Sequence, residues 1–345
     1  MDSVTHLALG ACTGEILLGK KLGKKALLWG ALAQNLPDAD TFVSEFFSAD
    51  KSYLVHRGIT HSLSFAIVIG LGLALAAKSI HRKENIPFRL LAFFFCFQLL
   101  LHDLLDTCNS YGTGLLEPFS HHRFSINLLF VADPLFTISL VVASLFLMLK
   151  KTSNKQRLKW AWAGIIVSAC YLCFACFNKL YADHQAEASF ANQKLHPDSY
   201  FSTPAPFNCM LWYIAAAADS GYYTGYISIW DDFKQPVDYG YHPKNYALVN
   251  NIHNSLLHNL EEFAGDYFTI SRSGDGLYFN ILRFQQRHGW LDTKAPFAFS
   301  YPLTSGNADG LLLQRGRLAG WNKKTLKAYL MRIAGKKYPL SPLKK

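Results

Sequence analysis

Residues 62–77 read SLSFAIVIGLGLALAA and contain no ionisable side chain. With a few flanking residues, this stretch approaches the roughly 20 residues that an α-helix needs to cross a lipid bilayer. Three further stretches are nearly as apolar, at residues 88–102, 126–149 and 158–180. Together the four stretches predict a multi-pass, α-helical membrane bundle.

Two shorter apolar runs precede them, at residues 7–19 and 26–36, and the turn between them carries four lysines. Each run is short for a membrane span, but a hairpin of the two can enter or cross the bilayer when it packs against the other helices. The sequence therefore predicts about six apolar segments. The alternative is four spanning helices, with the N-terminal pair lying at the membrane interface.

Basic side chains concentrate in alternate connections between these segments. Residues 20–25, 78–89 and 150–159 contain four, four and five Lys or Arg residues, whereas residues 37–61 and 103–124 together contain three. Because connections rich in Lys and Arg stay in the cytoplasm, the first set is predicted to be cytoplasmic. The N-terminus, the other two connections and everything after the last apolar segment are then predicted to be extracytoplasmic.

The composition supports this interpretation. Only 17% of the 345 residues are charged and 50% are hydrophobic, whereas average soluble chains contain about 25% charged residues. Intrinsic disorder is excluded, because such a chain can bury ample apolar surface.

The net charge of +10 is divided between the two halves without a concentrated basic stripe, so no nucleic-acid partner is expected. The seven cysteines lie mostly in apolar runs and predict no disulfide framework.

The second half of the chain has a different character. Strands are predicted at residues 213–218 and 222–230, and another pair, 267–272 and 277–284, flanks the turn Ser-Gly-Asp-Gly, a strong hairpin signal. Helical periodicity marks two further segments, residues 246–264 and 322–334. We therefore predict a transmembrane metal-site domain over residues 1–180 and a small extracytoplasmic α+β domain over residues 181–345.

Histidine and aspartate residues collect at the predicted outer end of the apolar segments. They are Asp2, His6, Asp38, Asp40, His56, His61, His102, Asp103 and Asp106. Because the orientation was derived from Lys and Arg alone, the clustering of His and Asp at one end is an independent observation. Imidazole and carboxylate ligands without thiolate suit Zn²⁺, Mn²⁺ or Fe²⁺ better than Ca²⁺. The set exceeds the needs of one ion, so one or two divalent metals, with zinc the leading candidate, are predicted.

Spacing selects the ligands within this set. His102 and Asp106 stand four residues apart, as do Asp2 and His6, so that on a helix each pair shares one face. Two closely spaced carboxylates follow Pro37, and a glycine between His56 and His61 allows a turn that brings the two imidazoles together. The predicted metal ligands are His6, Asp38, Asp40, His56, His61, His102 and Asp106. Asp2 is the candidate general base.

Other polar residues are candidates for substrate contacts. Arg57 and Arg123 can clamp an anionic substrate, because a guanidinium matches phosphate oxygens bidentately, although each can equally be an interfacial arginine. His121 and His122 lie beside the predicted site and are candidate ligands or proton shuttles. Asp133 is expected about 10 Å inside its helix and facing the bundle interior.

Four segments carry a resemblance to a known family. They are Asp-Ser-Val-Thr-His at 2–6, Pro-Asp-Ala-Asp at 37–40, His-Arg-Gly-Ile-Thr-His-Ser at 56–62 and His-Asp-Leu-Leu-Asp at 102–106. In order and spacing they resemble the bacterial inner-membrane, metal-dependent hydrolase family of the YdjM type. The resemblance covers about residues 1–140, and the second half is similar only to the longer members. It implies a multi-pass protein of the bacterial inner membrane with a metal-dependent hydrolase activity.

The pattern of His and Asp is also distantly similar to zinc-dependent phospholipase C and single-strand nucleases, which cleave phosphodiesters at clustered zinc ions. We therefore expect a membrane-bound hydrolase that uses a metal-activated water to cleave a phosphoester of a lipid-like or headgroup-level substrate, such as a phospholipid or a prenyl phosphate, with the C-terminal domain covering the site or selecting head groups. One alternative is a non-enzymatic membrane protein with a structural metal and a partner-binding C-terminal domain. A weaker alternative is a transporter with Glu15 and Asp133 on its pathway.

Overall fold

The computed structural model describes residues 1–44, 56–232, 235–250, 255–274, 276–303 and 320–336. The chain forms two compact units, and the boundary between them falls between Phe174 and Ala175.

The first unit is helical. Its helices are α1 (Ser3–Leu22), α2 (Lys24–Asn35), α3 (Asp40–Ser44), α4 (Leu63–Ile80), α5 (Phe88–Asp106), α6 (Pro134–Leu149) and the first part of α7 (Arg157–Asn192). Short 3₁₀ turns cover Pro37–Ala39, Ile59–His61 and Arg82–Glu84. Among the described helices, α4, α5 and α7 are long and apolar enough to cross a membrane, and α6 is apolar but shorter. A helical membrane unit is thus confirmed, and three of the expected six segments qualify as spans by length and hydropathy.

Helices α1 and α2 form a tight hairpin. Gly23 joins them with a φ of 57°, a left-handed value that glycine adopts without steric cost. The two helices approach so closely that a Cβ atom on Gly10 would lie 2.3 Å from the carbonyl oxygen of Gly30. The absence of side chains at these two positions is therefore what allows the hairpin to close.

The predicted segment 126–149 is helical only from Pro134 onwards. The Asp133 carboxylate accepts hydrogen bonds from the backbone N–H groups of Leu135 (3.0 Å) and Phe136 (3.4 Å) and caps α6. Proline suits the first helical position because its missing N–H has no intrahelical partner to lose there. The expectation that Asp133 lies about 10 Å inside a helix is wrong, since a capping aspartate followed by proline starts the helix.

The second unit contains two antiparallel sheets. Strands β1 (Ser199–Pro204), β2 (Leu211–Ala218), β3 (Gly221–Ser228) and β4 (Gly240–Pro243) form one sheet in that order, and β5 (Phe268–Ser273), β6 (Gly276–Gln286) and β7 (Phe297–Pro302) form the other. Helices α8 (Ser255–Ala264) and α9 (Lys323–Ile333) also belong to this unit, as does the part of α7 from Ala175 onwards. The predicted hairpin between residues 267 and 284 is confirmed by β5 and β6, which pair from Phe268↔Ile281 to Ser273↔Gly276. The C-terminal half is thus a sheet-containing domain with helices, as predicted.

Candidate metal centre

Three pieces of chain meet at the C-terminal end of α5. Helix α2 ends at Asn35, and Pro37 starts a 3₁₀ turn that carries Asp38. A second 3₁₀ turn ends at His61, because the next residue, Ser62, accepts a hydrogen bond from the Phe65 N–H (3.1 Å) and caps α4. The last turns of α5 add His102 and Asp106. Each ligand candidate therefore lies at a helix end or in a short turn, where the local sequence holds its backbone.

Four side chains converge there, namely Asp38, His61, His102 and Asp106. Each offers one ligand atom, and the four atoms lie within 4.8 Å of one another. The His61 Nε2 atom lies 3.4 Å from Asp38 Oδ1 and 3.6 Å from Asp106 Oδ2. His102 Nε2 lies 3.8 Å and 4.0 Å from the same two oxygens. Ligands of a tetrahedral zinc ion are about 3.4 Å apart at bond lengths near 2.1 Å. Four of the six distances between these atoms are thus 3.4–4.0 Å, close to the spacing that a tetrahedral ion requires.

Three of these ligand atoms make no hydrogen bond to any described residue. They are Nε2 of His61, Nε2 of His102 and Oδ2 of Asp106, and the last of these lies 3.2 Å from Nε of the Arg57 guanidinium. A buried polar atom left unpaired costs about 1–3 kcal/mol. A cation bound among them would satisfy all three atoms at once, so the residues present fit a divalent metal.

Groups behind the two imidazoles orient them. His102 Nδ1 lies 2.6 Å from the backbone carbonyl oxygen of Gln34 and must donate to it, which leaves the Nε2 lone pair facing the cluster. His61 Nδ1 lies 3.4 Å from Asp40 Oδ2 and 3.0 Å from Thr60 Oγ1. A metal-bound histidine ordinarily has such a partner on its second nitrogen.

His6 lies beside this group of four. Its Nε2 is 3.2 Å from Asp106 Oδ1, its ring centroid is 3.9 Å from that of His102, and its Nδ1 is 3.3 Å from Gln34 Oε1. The amino group of Met1 also donates to Asp106 Oδ1. His6 therefore contacts the Asp106 oxygen that points away from the four-atom cluster.

Asp40 and His56 lie behind His61 rather than within the cluster. Asp40 Oδ1 is 2.7 Å from His56 Nδ1, and its Oδ2 accepts from the Arg57 N–H (3.0 Å) and the Thr60 hydroxyl (2.5 Å). Burial alone would raise the pKa of Asp40, but the hydrogen bonds with His56 and His61 hold that pKa far below its ordinary value. Both oxygens are thus engaged, and the carboxylate remains ionised beside His61.

The same balance acts on the Asp38 carboxyl. Burial would raise its pKa, but the adjacent imidazoles of His61 and His102 lower it well below the ordinary value. Asp38 has the most accessible side chain of the four, at 14% exposure, whereas His61, His102 and Asp106 are fully buried. Asp38 thus marks the side from which solvent reaches the cluster.

Arg57 contacts the cluster and Arg123 stays at its edge. Arg57 is buried with Nε 3.2 Å from Asp106 Oδ2, and its Nη1 donates to Asn109 Oδ1 (2.8 Å). Its backbone has a left-handed φ of 63°, which costs about 1–3 kcal/mol at a non-glycine residue. Arg123 Nη1 donates to the carbonyl oxygen of His56 (3.2 Å). Such strain persists only where the surrounding contacts impose it, and it is common at functional sites, so the Arg57 turn is a candidate part of the site.

The remaining candidates lie outside the cluster. Asp2 caps α1, accepting from both the N–H (3.1 Å) and the hydroxyl (2.5 Å) of Thr5. His121 is exposed and pairs with Glu117 Oε1 (2.9 Å), and His122 is exposed. Glu15 forms a buried pair with Arg157 at 2.5 Å.

Sequence reasoning missed the amides that support the site. The Gln34 side chain contacts His6 and donates to Gln98 Oε1 (3.2 Å), which also accepts from the Thr13 hydroxyl (3.0 Å). Gln98 is an isolated amide within an apolar run, whereas Gln34 is followed by a second amide, Asn35, at the end of another run. Because a buried amide needs partners, the isolation of Gln98 was the signal that could have identified it.

Comparison with known proteins covers this region of the chain. A family model described as YdjM inner membrane protein matches residues 1–182. The inner membrane protein YbcI of Escherichia coli (strain K12) is 37% identical over 123 residues, which are 35% of this chain and 69% of that protein. No solved structure matches the chain. The matched region contains every residue of the four-atom cluster and more than half of the sequence, and the chain therefore belongs to the YdjM inner membrane protein family.

Proposed function

We propose that this protein is a membrane-bound, metal-dependent hydrolase that cleaves a phosphoester of a lipid-like substrate. The observation that carries the proposal is the convergence of Asp38, His61, His102 and Asp106, with three buried ligand atoms that make no hydrogen bond to the described residues. A divalent ion bound there, with zinc preferred and manganese or iron as alternatives, supplies a Lewis acid and an acidified water.

The chain's own residues divide the remaining work. Asp38, His61, His102 and Asp106 hold the ion, and His6 together with Asp40 and His56 position them. Arg57 brings a guanidinium to the edge of the cluster, where it can bind phosphate oxygens. Substrate approaches on the Asp38 side, because that ligand is the most accessible of the four.

A lipid substrate is favoured by the surroundings of the ligands. Ile59 and Leu104 expose 56% and 63% of their surface. Ile59 lies two residues from His61, and Leu104 lies midway between the two α5 ligands. Because residues two apart on a helix face away from each other, Leu104 adds an exposed apolar face at the same depth as the ligands, which suits the boundary between head groups and acyl chains.

The proposal includes a membrane arrangement. Six apolar segments cross or enter the inner membrane, and the cluster lies at the extracytoplasmic face, as the distribution of Lys and Arg favours. The C-terminal domain lies on the same side, where it covers the site or selects head groups.

A structural metal is the second candidate function. The complete burial of His61, His102 and Asp106 favours it, because a closed site without an open position serves folding rather than catalysis. The protein would then be non-enzymatic, with the C-terminal domain binding a partner.

The experiment starts with metal analysis of the full chain purified in detergent. We expect at least one equivalent of a transition metal in the wild type and less than a tenth of it in His61→Ala and Asp106→Ala. His196→Ala, at an exposed histidine outside the cluster, is the control and should keep its metal. Wild-type metal content in both ligand variants would disprove the site.

The second step separates enzyme from scaffold. Metal-loaded protein is incubated with phosphatidylglycerol vesicles and with a prenyl diphosphate, and released phosphate or head group is measured. Turnover that disappears in His61→Ala supports the hydrolase. Full metal content with no turnover of either substrate supports the structural metal.

A further inference from the structure

We propose that an apolar groove on the helical unit binds one acyl chain of an anionic phospholipid, whose phosphate is held by Lys24. The groove has a volume of about 510 Å³ and lies between α1, α2 and α6. On α1 it follows the side of Val4, which is 55% exposed, whereas His6 of the metal centre is buried. The groove is thus a separate site, and the proposal does not depend on the proposed function.

The lining is built from three helix faces. Each helix contributes four side chains at positions i, i+3, i+4 and i+7, starting from Val4, Lys24 and Val141. Of these twelve side chains only Lys24 and Ser144 are polar, and the Ser144 hydroxyl already bonds the carbonyl oxygen of Leu140 at 2.8 Å. The groove therefore offers hydrocarbon contacts along its length and one charge.

The length of the groove suits one leaflet. Gly10 of α1 lies opposite Gly30 of α2. Val4 is six residues before Gly10, and Lys24 is six residues before Gly30. Because the two helices run in opposite directions, Val4 and Lys24 lie on opposite sides of this crossing point. At 1.5 Å per residue, the groove is about 18 Å long. Half of the hydrocarbon thickness of a bilayer is about 15 Å. A single acyl chain spans that distance.

The charge sits at one end only. Lys24 Nζ lies 2.5 Å from the carbonyl oxygen of Met148, where α2 begins and α6 ends. Other exposed lysines of the same connections are Lys20, Lys21, Lys25, Lys150 and Lys151. The acidic side chains Glu15 and Glu84 already pair with basic partners. A surplus of positive charge at the mouth of an apolar groove selects an anionic head group.

A second copy of the chain is a poorer occupant. Closed dimers place the same surface patch of both subunits against itself. A two-fold axis along the membrane normal would bring Lys24 towards its own equivalent, together with the neighbouring lysines. Like charges in such proximity oppose association, whereas a phosphate neutralises them.

The test uses native mass spectrometry of the full chain with matched phosphatidylglycerol and phosphatidylethanolamine. We expect one phosphatidylglycerol per chain, retained about fivefold more tightly than phosphatidylethanolamine. Lys24→Gln should remove the preference, and Ala31→Leu, which fills the groove, should weaken both lipids. Lys83→Gln, at an exposed lysine outside the groove, should match the wild type. Glycerol 3-phosphate, which has the charge without the chain, should not bind measurably.

Unchanged thermal unfolding and elution volume identify the variants that are folded, and Lys24→Gln alters only an exposed side chain. Equal retention of the two lipids by the wild type would overturn the proposal. An undiminished preference of Lys24→Gln for phosphatidylglycerol would also overturn it. The same holds if Ala31→Leu dissociates a dimer but still retains its lipid.

Discussion

The Nδ1 atom of His102 lies 2.6 Å from the backbone carbonyl oxygen of Gln34, so the last turns of α5 are tied to the end of α2. This hydrogen bond selects the tautomer in which Nε2 is unprotonated, and it directs that nitrogen towards Asp38 and Asp106. A backbone acceptor makes the arrangement independent of any second side chain.

Loss of this imidazole should remove metal binding. We expect His102→Gln to lower zinc affinity by more than about 100-fold, because losing a ligand costs more than losing its supporting partner. The measurement is competition with a chromogenic chelator at pH 7.5. The exposed His122→Gln variant is the control, and equal affinities of the two variants would contradict the assignment of His102.

Asp40 should behave as a positioning residue. Asp40→Asn keeps the size of the side chain but loses the charge facing His61 Nδ1, so we expect zinc affinity to fall by about 10–100-fold. Asp38→Asn changes a residue of the cluster itself and should lower zinc affinity by a larger factor. An Asp40→Asn protein with a larger defect than Asp38→Asn would show that Asp40 is itself a ligand.

The lowered pKa of Asp40 predicts acid sensitivity of the metal-free protein. An aspartate with a depressed native pKa binds its proton less readily than the unfolded chain, so its contribution to stability is present above about pH 4 and is lost below that. Thermal unfolding followed by circular dichroism between pH 3 and pH 7 checks this. In Asp40→Asn the loss of stability below pH 4 should be smaller, and identical profiles would contradict the prediction.

The buried pair between Glu15 and Arg157 should support the helical unit rather than the metal centre. Arg157 Nε lies 2.9 Å from Glu15 Oε1, and its Nη2 lies 2.5 Å from Oε2. Glu15→Gln leaves a buried guanidinium without its counter-charge, which should destabilise the protein by about 3–5 kcal/mol. Reversible unfolding in mixed micelles measures the effect, and metal content should stay at the wild-type level. A Glu15→Gln protein as stable as the wild type would contradict this prediction.

The α1–α2 hairpin should not tolerate a methyl group at its crossing point. Gly10→Ala places a Cβ atom 2.3 Å from the Gly30 carbonyl oxygen and should cost about 1–3 kcal/mol. Gly72→Ala is the matched control, since no atom of the described residues lies within 4 Å of its added Cβ. In a helix it should be neutral or stabilising. Equal stabilities of the two variants would mean that the hairpin can open without cost.

Hydropathy and residue chemistry could be interpreted from the sequence because they are local properties. The apolar run at 62–77 predicted α4 within a few residues of its bounds, and the turn after Arg272 predicted the β5–β6 hairpin. The four-residue spacing of His102 and Asp106 predicted that they share a helix face, and both belong to the cluster.

Only the tertiary structure decided which candidates meet. Asp38 and Asp40 are two residues apart and chemically identical, yet only Asp38 joins the four-residue cluster while Asp40 supports His61 from behind. That difference depends on the direction of a 3₁₀ turn and on the packing of α2 against α5. Composition and spacing identify the ligand types, but the convergence of residues 38, 61 and 102 is set by contacts between segments far apart in the chain, which no local pattern encodes.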